Sequence, residues 1–193
     1  MQRPSIAAAT AQRKRGADQV QRMAIIGLMS DSHGRACITQ RAAEILVDGG
    51  AELLLHLGDI GGTDVIDAML VACADTEQVV PTRIVFGNTD WDIPGLTNYA
   101  RHLDVQVDHP LGRLNLGDKP LFFTHGHDAS AFRQALAPSP AYVCYGHTHK
   151  AADSRRGSTR LINPGALFRT AQPTVALLDT QADELTFLKV SRT

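Results

Sequence analysis

The chain has 193 residues, 44% of them hydrophobic and 20% charged, which suits one well-filled core and excludes both a pair of ordinary domains and wholesale disorder. Its formal charge of −1 splits into +4 over residues 1–22, where Arg3, Arg13, Lys14, Arg15 and Arg22 face only Asp18, and −5 over the remainder. An acidic body of that kind argues against long nucleic acids as partners, and the lack of any apolar run near the ~20 residues that span a bilayer argues against a membrane role.

Residues 1–22 have no apolar signal segment and no two-sided periodicity, so they are expected to be a flexible basic extension preceding a domain at 23–193. Met23 to Met29 reads as the first strand, residues 36 to 48 as a helix stopped by Gly49-Gly50, and Glu52 to Leu57 as a second buried strand. A helix over 63–74 and a strand over Arg83–Phe86 repeat the alternation. Past Pro94 the helical rhythm fades, and pieces at 103–107, 111–116 and 119–124 read as antiparallel strands. A short helix near 129–136, a strand at 141–145 and two or three strands within 159–190 complete an α/β domain. Cys37, Cys73 and Cys144 are odd in number and sit in apolar surroundings, which predicts buried reduced thiols and a cytoplasmic address.

The chemistry lies where strands end. The five strands empty into Ser30-Asp31-Ser32-His33-Gly34, Gly58-Asp59, Gly87-Asn88, Thr124-His125-Gly126-His127 and Gly146-His147-Thr148-His149. Ligands of open α/β sheets bind beyond the carboxyl ends of the strands, so these groups can converge despite their separation in sequence. Extended backbone would put Asp31 with His33, and His147 with His149, on one side of the chain. Carboxylates and imidazoles crowded without a cation would repel or go unsatisfied; divalent ions resolve the conflict, and a nitrogen and oxygen donor set without thiolate suits ions such as manganese, iron or zinc.

The ordered set Asp-x-His, Gly-Asp, Gly-Asn-x-Asp, His-Gly-His and Gly-His-Thr-His, followed by Asn163-Pro164-Gly165, resembles the signature of the calcineurin-like metallophosphoesterases, and within them the small YfcE-like phosphodiesterases. The resemblance spans residues 23 to about 170 and implies a four-layer α/β/β/α sandwich of two mixed sheets flanked by helices. It places Asp31, His33 and His149 on one metal ion, Asn88, His125 and His147 on a second, and Asp59 between them. Two ions ~3.5–4 Å apart can acidify a shared water and stabilise in-line displacement at phosphorus. The activity so implied is hydrolysis of small phosphate esters, phosphodiesters first and phosphomonoesters as the alternative. Manganese leads iron, zinc, nickel and magnesium as the expected ion. The same fold also serves as a trafficking scaffold, a reading that the seven intact ligand positions disfavour. Relatives of this size often pair, which leaves a homodimer open. Where many relatives carry a His after Gly-Asn this chain has Thr89, so Asn88 and His127 are left as the catalytic candidates beside the metals, His127 as a proton source.

Other residues admit plainer readings. His56 reads as a core histidine, and His102 and His109 as loop residues. Asp90 divides evenly between orienting a ligand histidine and capping a turn. Trp91 divides between walling the pocket and packing on its own domain. Arg155, Arg156 and Arg160 read as a solvated hairpin.

Overall fold

The computed structural model describes residues 25–192, so the proposed extension at 1–22 lies outside the described residues. Strand β1 (Ile25–Met29) alternates as a strand between two cores must: Ile26 and Leu28 face one, Met29 the other. It pairs in parallel with β2 (Leu53–His56), β2 with β3 (Thr82–Ile84) and β3 with β4 (Gln106–Val107), while β10 (Thr174–Asp179) pairs antiparallel with β1 and with the edge strand β11 (Glu184–Lys189). A second mixed sheet runs β5 (Leu111–Leu116), β6 (Lys119–Thr124), β7 (Tyr142–Tyr145), β9 (Thr159–Asn163) and β8 (Ala152–Arg156). Between the sheets lies a core of Ile26, Leu28, Leu53, Leu55, Leu121, Phe123, Cys144 and Ile162.

Helices α1 (Ala36–Asp48), α2 (Thr63–Ala68) and α3 (Ile93–His102) cover the first sheet, and α4 (Ala129–Leu136) packs on β5 and β6. The four-layer architecture is therefore present. Helix α1 buries Thr39, Ala42, Ala43, Leu46 and Val47, a stripe at three- and four-residue spacing that fills the second core with Leu54, Ile66 and Phe86.

Several boundaries differ from expectation for physical reasons. Helix α3 occupies the stretch past Pro94 where the sequence pattern predicts no helix, because Pro94 sits in its first turn, where it is tolerated, and the Asp92 carboxylate accepts from the Gly95 amide at 3.0 Å. Strand β4 is two residues long and joins the first sheet in parallel, leaving β5 and β6 as the antiparallel pair. Strand β8 carries no apolar signal in the sequence because it is an exposed edge with polar residues on both faces. Cys144 is buried, but Cys37 is exposed and Cys73 half-buried; all three are free thiols.

The topology aims the two sheets at one place. The loops that follow β1, β2 and β3 leave the first sheet at the carboxyl ends of parallel strands, and those that follow β6, β7 and β9 do the same in the second.

Candidate metal centre

Main-chain hydrogen bonds fasten the loops of the first sheet together. The amides of Asp31, His33 and Gly34 donate to the carbonyls of Gly58, Asp59 and Ile60 at 3.0, 2.8 and 2.8 Å. The Leu167 and Phe168 amides donate to the Ser30 and Asp31 carbonyls, each at 3.1 Å. Asp90 is buried and accepts from the amides of Gly61, Gly87 and Ile60 at 2.7, 2.8 and 3.2 Å. It neither orients a histidine nor caps only its own turn: it ties the loop after β3 to the loop after β2.

A corresponding brace serves the second sheet. Asn163, buried at the end of β9, donates through Nδ2 to the Gly146 carbonyl at 2.7 Å and to Thr148 Oγ1 at 3.1 Å, and its Oδ1 accepts from the Gly165 amide at 2.9 Å. The Asn163-Pro164-Gly165 turn thus holds the segment that carries His147 and His149.

Within this frame Asp31, His33, Asp59 and His149 each present one donor atom, all within 4.8 Å of one another. These pairs do not meet by extended backbone. Asp31, His33, Asp59, His147 and His149 all have positive φ, between 45° and 66°, a left-handed conformation that costs a non-glycine residue on the order of 1 kcal/mol or more. Two glycines permit the close approach: a Cβ at Gly87 would collide with Asp59 Oδ1, and one at Gly146 with Ser30 Oγ.

The donor atoms are oriented, and several are bare. His125 is 1% exposed; its Nδ1 lies 2.7 Å from the Leu57 carbonyl and donates to it, so in the neutral ring Nε2 presents a lone pair, and that atom has no hydrogen-bond partner. Asp31 Oδ2 accepts from the His147 amide at 3.2 Å, while the buried Oδ1 is unpartnered and lies 3.2 Å from His149 Nε2. Asp59 Oδ1 accepts from the Thr89 amide at 2.9 Å, and its Oδ2 lies 3.5 Å from His33 Nε2 and 3.4 Å from His125 Nε2. Thr89 also reaches His33, with Oγ1 3.4 Å from Nδ1. Buried lone pairs converging without protons are costly by themselves and are what a divalent cation requires.

The crowded groups also shift one another's protonation: burial by itself would lower the pKa of His125, but contact with Asp59 outweighs it and raises that pKa. Burial pushes the Asp31 carboxyl above its usual range. Burial works the same way on Asp59, but His125 and the Thr89 amide outweigh it and hold that carboxyl well below the usual range. His33 is lowered, first by burial.

The remaining candidates line the rim. His147 is exposed, its ring 5.2 Å from that of His125. His127 is exposed, 5.2 Å from the His125 ring and 6.1 Å from the His147 ring, and burial together with those neighbours lowers its pKa. Asn88 is exposed, and its side chain makes no hydrogen bond among the described residues, although both its neighbours press on Asp59.

The other residues singled out from the sequence divide clearly. His56 is a core histidine: Nδ1 accepts from the Gly58 amide at 3.3 Å, and Nε2 lies 2.8 Å from Ser32 Oγ, which lies 2.8 Å from Thr39 Oγ1. His102 ends α3 with Nδ1 2.7 Å from the Asn98 carbonyl, and His109 follows β4, its Nδ1 accepting from the Phe86 amide at 3.3 Å. Trp91 is 90% exposed. The arginines of the β8–β9 hairpin are not simply solvated: Arg160 is buried, grips Asp153 through two bonds of 2.9 and 2.7 Å, and reaches Asp183 Oδ1 at 2.8 Å. The bracing partners of Asn163, Asp90 and Thr89 lie far off in sequence, and only the fold brings them near.

Residues 23–183 match the family model described as the calcineurin-like phosphoesterase superfamily domain. The chain is 30% identical over 165 residues to phosphodiesterase MJ0936 of Methanocaldococcus jannaschii, covering 82% of this chain and 95% of that protein. It is 28% identical over 145 residues to phosphodiesterase YfcE of Escherichia coli, covering 72% of this chain and 76% of that one. A solved structure described as a novel archaeal phosphodiesterase superposes with a TM-score of 0.74 at 27% identity, covering 86% of this chain and 99% of that chain.

Proposed function

The chain belongs to the calcineurin-like phosphoesterase superfamily, and from that membership we propose that it hydrolyses small phosphate esters, phosphodiesters foremost, with two divalent metal ions at the site built by Asp31, His33, Asp59, Asn88, His125, His147 and His149. The observation that carries the reading is the pair of solvent-inaccessible, unpartnered donor atoms Asp31 Oδ1 and His125 Nε2. Nitrogen and oxygen donors without thiolate suit manganese first and leave iron, zinc, nickel and magnesium as alternatives.

Asp31, His33 and His149 would hold one ion, and Asn88, His125 and His147 the other. Asp59 suits a bridging role, since its Oδ2 faces a histidine of each set, at 3.5 and 3.4 Å. When bound, such ions acidify water and polarise the phosphoryl oxygen. The protein's own part is preorganisation: Asp90, Asn163 and Thr89 fix the loops so that the donors need not reorganise as charge builds at phosphorus. His127, exposed at the rim beside His125 and His147, is the candidate to give a proton to the departing oxygen.

The test is to strip the protein of metal and follow cleavage of bis(p-nitrophenyl) phosphate with and without manganese. Turnover restored by the ion is the expected result; no turnover under any of the five ions would overturn the reading.

A further inference from the structure

Beside the loop that carries Asp31 and His33 lies an open groove of about 890 Å³. Its lining includes Arg35, Arg41, Arg169 and Arg192 and no acidic residue, in a chain whose body beyond residue 22 carries −5. Among the described residues none of these four arginines has an ion pair, whereas Arg83, Arg155 and Arg160 do. Two of the four are held by other means: Arg41 donates to the Ser191 carbonyl at 3.4 Å, and Arg192 to the Thr170 carbonyl. The apolar part of the lining is Ile38, Leu167 and Phe168.

The groove adjoins the metal centre. The Phe168 ring lies 5.9 Å from the ring of His33 and 4.3 Å from the Arg35 guanidinium. Arg169 stands 5.7 Å from the same ring, with its backbone held at φ 52°. The Leu167 and Phe168 amides are bonded to the Ser30 and Asp31 carbonyls, so the groove wall is fixed to the loop that bears the metal-ligand candidates. Helix α1 also begins here without a side-chain cap or an acidic residue in its first turn, which adds positive potential.

We propose that this groove binds a second anionic group on the substrate. The preferred ester is then a phosphodiester with one arm carrying a further phosphate, joined through a flat or apolar spacer. The spacer lies along Ile38, Leu167 and Phe168, and the second phosphate takes the guanidinium forks of Arg35 and Arg169, with Arg41 and Arg192 behind them. The inference rests on the phosphoesterase reading above, because it assumes that the scissile phosphate lies at the metal centre. Four unpaired arginines clustered in an acidic protein repel one another unless an anion joins them, and a substrate with one charge would leave that field unused.

The probes are thymidylyl-thymidine and the same dinucleotide with a 5′-phosphate. Calorimetric titration of the metal-free protein should show the phosphorylated dinucleotide binding at least tenfold more tightly, with a preference that fades as salt rises. With manganese, its kcat/KM should exceed that of the unphosphorylated dinucleotide by tenfold or more, mainly through KM. Arg35→Gln and Arg169→Gln should each bring both ratios towards one. Equal binding of the two dinucleotides by the parent protein, or ratios unchanged in both variants, would overturn the proposal. Selective binding without turnover of either probe or of bis(p-nitrophenyl) phosphate would leave the groove standing and count against the phosphoesterase reading.

Discussion

The Nε2 atoms of His33 and His149, 116 residues apart in sequence, face each other at 3.4 Å. At that distance two imidazoles can share at most one proton, and Asp31 Oδ1 and Asp59 Oδ2 stand beside them. The arrangement makes sense as a nest of lone pairs around one cation. We therefore expect His149→Ala and Asp31→Asn each to lower bound metal and kcat by about 100-fold, with the circular dichroism spectrum intact. Metal analysis beside turnover decides it; activity within about twofold of the parent would remove these residues from the centre.

Asn163 gives a different signature, since it touches the loop rather than the donors. Asn163→Ala leaves the Gly146 carbonyl without its side-chain donor and frees the segment bearing His147 and His149. The expected outcome is a loss of about 1–3 kcal/mol in stability together with a 10- to 100-fold fall in kcat, partly recovered at high metal concentration. A variant with lowered stability but full kcat would reduce Asn163 to a structural turn residue.

His56 predicts a dependence of stability on pH. Burial pushes its pKa from 6.5 down to about 3. Between those values the unfolded chain binds a proton that the folded chain refuses, so stability falls as pH drops from about 6.5 towards 3 and is indifferent to this residue above that window. At the lower end the loss is on the order of 4 kcal/mol. Urea midpoints measured from pH 4 to pH 8 should therefore slope more steeply for the parent than for His56→Gln; parallel curves would contradict the assignment.

Arg160 should matter to the fold alone. It joins Asp153 on β8 to Asp183 in the β10–β11 turn, at the side of the second sheet away from the ligand loops. Arg160→Ala should cost about 2 kcal/mol by leaving two carboxylates without their shared partner, with kcat/KM unchanged. Loss of activity at a temperature where the variant is fully folded would show that the hairpin acts on the site.

Much of this was written locally. Continuous apolar runs in Ile26 to Met29 and Leu53 to Leu57, and helical spacing over Ala36–Asp48, report burial directly, so the central strands and α1 follow from pattern. Donor residue types at strand ends were equally legible, because a parallel strand must release its chain at the sheet edge. What could not be read depends on partners brought by the fold. Asp90 reaches amides 29 and 30 residues upstream, and Asn163 a carbonyl 17 residues upstream. Strand β8 has no buried stripe to betray it, and Arg35, Arg41, Arg169 and Arg192 are unremarkable until the chain gathers them.

The left-handed backbone at five of the proposed ligands has one more consequence. Glycine would occupy those torsions freely, so the protein retains Asp and His there at a conformational loss. At His147, exposed and with φ 66°, there is little packing to forfeit. His147→Gly should consequently melt above His147→Ala, by about 1 kcal/mol of stability, while both are inactive. Reactivity and robustness pull against each other at this edge of the sheets: the sturdier molecule is the one that has given up its chemistry.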